Sequence, residues 1–372
     1  MDFEEGLAVT QERLAAEADS LAELLGRLRS FIAPALVGDR EWDALLEPAR
    51  HLPATMAAFP FGFELPLHDR RPRADLGISL VGGTGPAMYF EDRARSGEAD
   101  PSAAGIARIL RETEPDRTPL RQVIGRKMML EYDIGPAAGD ARPEPGIFLR
   151  PAERPIVGSA GQVGDVGVVL DALVAALGWR PDGAEKRSAE RVYLAQPPGT
   201  RIDSFGAFPS RERAIRLAIA GFGNFSDIAS FLERAGWTGP GATVASAISR
   251  FEERGGFVSL GVHLDVLSGG LGPTLGLGVL AKERVAKDPG YWLDRPQLWK
   301  TFVEGLRAEN LVVPEKLSAL AGWCARPTTL FARSGQFVLL RGIHHFKIVL
   351  DRGRPEQVKG YAFMVLIAAP NS

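Results

Sequence analysis

A pair of alternating strands joined by a turn recurs five times along the chain, at 59–81, 128–151, 191–221, 257–281 and 330–368. The hairpins return about every 65–70 residues, with helical patterns filling most intervals in pairs. Such a period means that each unit contributes two strands and two helices to a shared core. Ten strands with helical pairs between them predict an α+β fold, a closed antiparallel barrel surrounded by helices in one domain spanning 1–372.

The fourth hairpin carries the pattern most plainly. In FVSLGVHLDVL, Leu260, Val262, Leu264 and Val266 face one way, and Ser259, Gly261, His263 and Asp265 the other. Period two of this kind is a strand with two different faces. The first hairpin repeats it: Phe61, Phe63 and Leu65 alternate with Glu64, then Leu76, Ile78 and Leu80 with Asp75, Gly77 and Ser79. The last hairpin reads GIHHFKIVLD, a turn RGRP, and QVKGYAFMVLIA. Between hairpins, an amphipathic helix is expected over 8–32, with Leu14, Leu21, Leu24, Leu25 and Leu28 on one stripe. Further helices are expected at 40–50, 101–126 (two), 163–179, 225–236, 241–254, 291–310 and 314–323. The stretch RPDGAEKRSAE reads as a polar loop before a strand VYLAQPP that carries Tyr193.

Helices outside a barrel need an aliphatic surface to pack on. The aliphatic faces therefore point outward, and the polar faces line the lumen, the reverse of a small barrel filled with apolar side chains. That lumen holds Glu64, Asp75, Glu131, Asp133 and Asp265 together with Arg150, Arg216, Lys347 and Lys359. Buried charges require partners, so these groups either pair with one another or receive a ligand. Inward glycines such as Gly206, Gly276 and Gly278 are expected to keep the lumen open.

Bulk properties exclude several classes. The 372 residues carry 44 Lys and Arg against 46 Asp and Glu, a net charge of −2, which points to neither nucleic acid nor an anionic membrane surface. Cys324 is the single cysteine, so neither a disulfide framework nor a thiolate cluster is available. The acidic, amphipathic N-terminus is unlike a signal peptide, and no apolar run reaches membrane-helix length. A cytoplasmic location is the expectation. Gly158, Gly161 and Gly164 follow no clear strand, and no phosphate-loop or Gly-x-Ser-x-Gly sequence occurs.

The order of elements resembles the prenyltransferase barrel, the ααββ-repeat fold of aromatic and peptide prenyltransferases, over nearly the whole chain. FGFELPL followed by ADLGISLV is similar to the family's first hairpin, where a glutamate holds the acceptor's N–H and takes its proton; Glu64 matches it. KGYAFMV is similar to the family's Lys-x-Tyr strands, in which lysine binds diphosphate and tyrosine shields the allyl cation; Lys359 and Tyr361 match. The chain departs from the family where Asp75 replaces a diphosphate-binding arginine, and in having one Lys-x-Tyr pair. The resemblance implies an enzyme that transfers an allylic group from a diphosphate to an aromatic or peptide acceptor in natural-product biosynthesis. Arg216, Lys347 and Lys359 would hold the diphosphate, Tyr193 and Tyr361 would shield the cation, Asp75, His263 and Asp265 would complete the substrate-binding set, and no cofactor would be required, Mg²⁺ being optional.

Two other readings fit the same residues. An acidic wall of Glu64, Asp75, Glu131 and Asp265 would attract an amine or guanidinium in a barrel that binds a peptide or small cation without prenylating it. Alternatively, His263, Asp265 and His345 form the residue set of a two-histidine, one-carboxylate Fe(II) oxygenase site, with Arg354 nine residues beyond as a 2-oxoglutarate anchor.

Overall fold

The five expected hairpins close into the expected antiparallel barrel in the computed structural model, which describes residues 3–96, 100–134, 144–254, 259–280, 297–324 and 327–369. The strands are β1 (Phe61–Pro66), β2 (Asp75–Val81), β3 (Lys127–Tyr132), β4 (Gly146–Leu149), β5 (Ile156–Val157), β6 (Arg201–Ala207), β7 (Ile215–Phe222), β8 (Ser259–Leu267), β9 (Gly270–Leu280), β10 (Thr328–Ala332), β11 (Gly335–Asp351) and β12 (Arg354–Ala368). Their order is β11-β12-β1-β2-β3-β4-β6-β7-β8-β9, and β9 returns to β11 to shut the ring. β11 is long enough to serve twice: residues 335–339 pair with β10, and 346–351 pair with β9. β5 adds two residues to the edge of β6. The β11–β12 turn, Arg352-Gly353, has φ of 47° and 81°, the left-handed pair that a two-residue hairpin turn requires.

Twelve described helices surround the barrel: α1 (Phe3–Glu17), α2 (Leu21–Leu28), α3 (Asp39–Ala49), α4 (Gly85–Arg95), α5 (Pro101–Thr113), α6 (Pro119–Ile124), α7 (Val163–Ala176), α8 (Gly183–Leu194), α9 (Phe225–Ala235), α10 (Gly241–Arg254), α11 (Gln297–Ala308) and α12 (Pro314–Ala321). Side-chain caps set several starts, including Asp100 before α5, Thr118 before α6 and Asn224 before α9. The outward strand residues Phe63, Leu65, Leu76, Ile78, Leu264 and Leu277 are buried beneath the helices. The inverted barrel expected from the alternation is thus what forms. Among the described residues no helix is long and apolar enough to cross a membrane.

Three expectations need correction. The helix expected over 8–32 is two helices, because the Ser20 side chain accepts the Glu23 N–H and starts α2 afresh. α4 is a helix with no expectation in the sequence pattern, since its buried side is narrow: Pro86, Ala87 and Phe90. The expected loop and strand over 180–198 are instead α8. Asp182 caps it, and Ala189, Val192 and Tyr193 follow helical spacing into the core. The third hairpin therefore begins at Arg201. Residues 135–143 of the second hairpin's turn, 257–258 and 281 at the ends of the fourth, and 291–296 at the start of the expected helix lie outside the described residues.

Candidate functional site

Register places four lumen residues around one point. On β12, Tyr361 lies directly opposite Glu64 of β1, and Lys359 is two residues earlier on the same face. Lys347 of β11 lies directly opposite Lys359. Lys359 and the Tyr361 hydroxyl both donate to the Glu64 carboxylate, and the Lys347 ammonium is 3.7 Å from it. Glu64 is 4% exposed and Lys347 6%. Burial alone pushes the Glu64 carboxyl up, but the Lys359 and Lys347 charges outweigh it and hold the group well below the usual carboxylate range. Burial brings the Lys347 ammonium down to about 8 against the opposing pull of Glu64. Burial and the Glu64 charge raise the Tyr361 phenol well above its ordinary value.

Two further acids stand beside this cluster. Asp75 faces Glu64 across the β1–β2 pair, and Glu131 sits opposite Gly77 on β3. Asp75 accepts the Ile134 N–H at 2.8 Å. Burial and Glu64 raise the Asp75 carboxyl to about 6, and the same causes raise Glu131 to about 8. Glu131 has no hydrogen-bond or ion-pair partner among the described residues.

Three parallel rings form one wall. Tyr361 and His345 stack with centroids 4.0 Å apart and planes 9° from parallel, and His263 lies behind His345 at 6.4 Å and 8°. The Lys347 ammonium is 5.0 Å from the Tyr361 ring centre. Burial, Lys347 and Arg216 lower His263 to about 3, so its ring is neutral at ordinary pH. Burial, His344 and His263 hold His345 well below its ordinary value too. His263 is expected from the sequence to bind substrate or, with His345, iron; only the β8, β11 and β12 register places the two rings in one π surface.

Arg216 and Asp265, opposite one another on β7 and β8, form a two-pronged ion pair at 2.9 and 3.2 Å. Both line a cavity of about 340 Å³ that also touches Phe208, Arg211, Leu267 and Thr274. Arg211 pairs with Asp133 and covers the Phe208 ring at 3.6 Å. Arg213 likewise pairs with the buried Glu185 at 2.7 Å. Arg150 is half exposed and pairs with Asp203, which moves it from the expected lumen to the rim.

Other site expectations are overturned. Tyr193 does not reach the lumen: it lies on α8, where its hydroxyl accepts the Gln162 N–H at 2.7 Å and donates to the Val157 carbonyl at 3.2 Å. His263, Asp265 and His345 do not converge, because Arg216 occupies the Asp265 carboxylate. Among the described residues no group of three His, Cys, Asp or Glu side chains is placed to share a metal ion. Nor do the inward glycines simply leave space. The Phe148 ring lies over Gly206, where an added Cβ would sit 2.3 Å from it. At Gly77, by contrast, nothing lies closer than 3.9 Å.

No family model and no curated protein sequence matches the chain. Solved structures do. The apo form of the prenyltransferase PriB is 15% identical with a TM-score of 0.50, covering 95% of this chain and 94% of that one. A 6-dimethylallyl tryptophan synthase is 15% identical at TM-score 0.47, covering 97% and 96%. The 6-dimethylallyltryptophan synthase from Micromonospora olivasterospora, in complex with DMASPP and Trp, is 16% identical at 0.48, covering 98% and 97%. The likeness to PriB runs the length of both chains, and the fold is the prenyltransferase barrel.

Proposed function

We propose, with this barrel and its lumen as the premise, that the protein is a cytoplasmic transferase of natural-product biosynthesis. It moves an allylic group from a diphosphate to an electron-rich aromatic or peptide acceptor. The observation that carries the reading is the convergence of Lys347, Lys359 and Tyr361 on Glu64 inside the barrel. Two ammonium groups within reach of one point form an anion receptor, and Glu64 is the anion set against them. An arriving diphosphate competes for both lysines. Arg216 is close enough for its charge to act on Lys347 and on the Tyr361 phenol, and it adds a third cation. Donors fixed where charge develops on the leaving group lower the barrier.

Displacing Glu64 from the lysines changes its chemistry. Clamped, the carboxylate is a poor base, because two positive charges hold it ionised. Once the diphosphate shares those charges, its proton affinity rises and it can accept the acceptor's proton. Neutral His263 and His345 with Tyr361 offer π faces to an allyl cation where the fold's relatives are expected to use tyrosines. Side-chain cations leave the reaction without a required cofactor, with Mg²⁺ optional.

A second reading is favoured by one specific observation: each of these three cations already faces a carboxylate, Glu64 or Asp265. On that reading the barrel binds a cationic ligand and transfers nothing. The test is to incubate wild type and Lys359→Ala with dimethylallyl and geranyl diphosphate and a panel of aromatic acceptors, with products followed by mass spectrometry. Loss of one diphosphate contact is expected to slow transfer roughly 100-fold or more. No product from wild type with any pair overturns allyl transfer.

A further inference from the structure

We propose that the lumen contains a second receptor, formed by Asp75, Gly77 and Glu131, that takes the protonated amine of a small organic ligand. Three acids, Glu64, Asp75 and Glu131, face two ammonium groups, Lys347 and Lys359. Both lysines are committed to Glu64, and the nearby Arg211 and Arg216 to Asp133 and Asp265. Glu131 is 7% exposed, and its carboxyl has no hydrogen-bond or ion-pair partner among the described residues. Its oxygens are not among the fully enclosed unpartnered atoms, so a donor entering the lumen can reach them. Asp75 gives Oδ1 to the Ile134 N–H, which leaves Oδ2 without a partner among the described residues.

The backbone supplies the space. Glu131 lies directly opposite Gly77, two residues from Asp75 on β2, so the two carboxyls are diagonal neighbours across a position with no side chain. A side chain begun at Gly77 would meet nothing closer than the Gly62 carbonyl oxygen at 3.9 Å. An ammonium group there can donate to both carboxyls. Two carboxyls without a third ligand suit N–H donors better than a metal ion, and the stacked His345 and Tyr361 rings offer a surface for an organic body. The exchange balances simply: with its carboxyl raised to about 8, Glu131 holds a proton at pH 7 and releases it to the buffer as the ligand's ammonium takes the proton's place against the carboxylate. The site deepens the cation-binding reading above and stands independently of allyl transfer.

The test is isothermal calorimetry of the intact chain at pH 7 with phenethylamine and with phenethyl alcohol, in two buffers of different ionisation enthalpy. The amine is expected to bind at least about tenfold more tightly than the alcohol, with proton release approaching one per site. Glu131→Gln and Asp75→Asn are each expected to weaken the amine by about tenfold or more, with the alcohol unaffected and folding verified by circular dichroism. Equal affinity for amine and alcohol, binding of neither, or wild-type affinity in both folded variants would overturn the site. The assay contains no diphosphate, so its outcome is separate from the failure of allyl transfer.

Discussion

Lys359 donates to the Glu64 carboxylate across the β1–β12 seam, and in doing so it neutralises the group that an incoming anion would have to meet. The lumen therefore carries its own counter-ion. This arrangement ties anion binding, base strength and the stability of the barrel to a few buried charges.

Stability should fall between about pH 6.5 and pH 8, since below 6.5 the depressed His263 and His345 contribute with the opposite sign and offset the raised acids. Burial and Glu64 raise Glu131 from its ordinary 4.5 to about 8, so the folded chain binds more protons than the unfolded chain across that window. The contribution is full below 4.5 and is lost as pH rises through 8. Asp75 adds the same sign between 3.8 and about 6. Above 8, Lys347 reverses the sign, because its folded value lies below the ordinary 10.5. Urea unfolding at a series of pH values should show a shallower fall from pH 6.5 to 8 in Glu131→Gln. An unchanged slope would remove Glu131 as its source.

Asp265→Ala should destabilise the fold by about 1–3 kcal/mol, because Arg216 then keeps its charge in the lumen without a partner. Exchanging both residues for apolar ones should recover much of the loss. Chemical denaturation of the single and double variants measures this, and additive losses would contradict the coupling.

Tyr193→Phe should cost about 1–3 kcal/mol in unfolding free energy and leave lumen binding and turnover unchanged, since its hydroxyl bridges the Gln162 N–H and the Val157 carbonyl outside the barrel. A loss of turnover in a fully folded variant would contradict its placement on α8.

How much of this was legible in the sequence depends on distance along the chain. The hairpins and inverted faces could be read because period two is a local pattern: His263 and Asp265 announce their shared face within three residues. Lys359 and Tyr361 were found together for the same reason. That both close on Glu64 depends on pairing between β1 and β12, nearly the whole chain apart, and no local pattern encodes that register. Tyr193 was misplaced because Val192 and Tyr193 suit a strand in isolation, whereas packing of Ala189, Val192 and Tyr193 on one helical face decides the matter. The acids were legible as lumen residues, but the lone carboxyl of Glu131 emerges only once Lys347, Lys359, Arg211 and Arg216 have been matched to their carboxylates.

The most direct measurement is calorimetric titration of dimethylallyl diphosphate into wild type, Lys359→Ala and Glu64→Gln. If Glu64 stands in for the diphosphate, removing its charge frees both lysines, and Glu64→Gln should bind about tenfold or more tightly than wild type while losing transfer. Lys359→Ala should bind about tenfold or more weakly. No binding by any of the three proteins, or binding that neither substitution alters, would contradict the account.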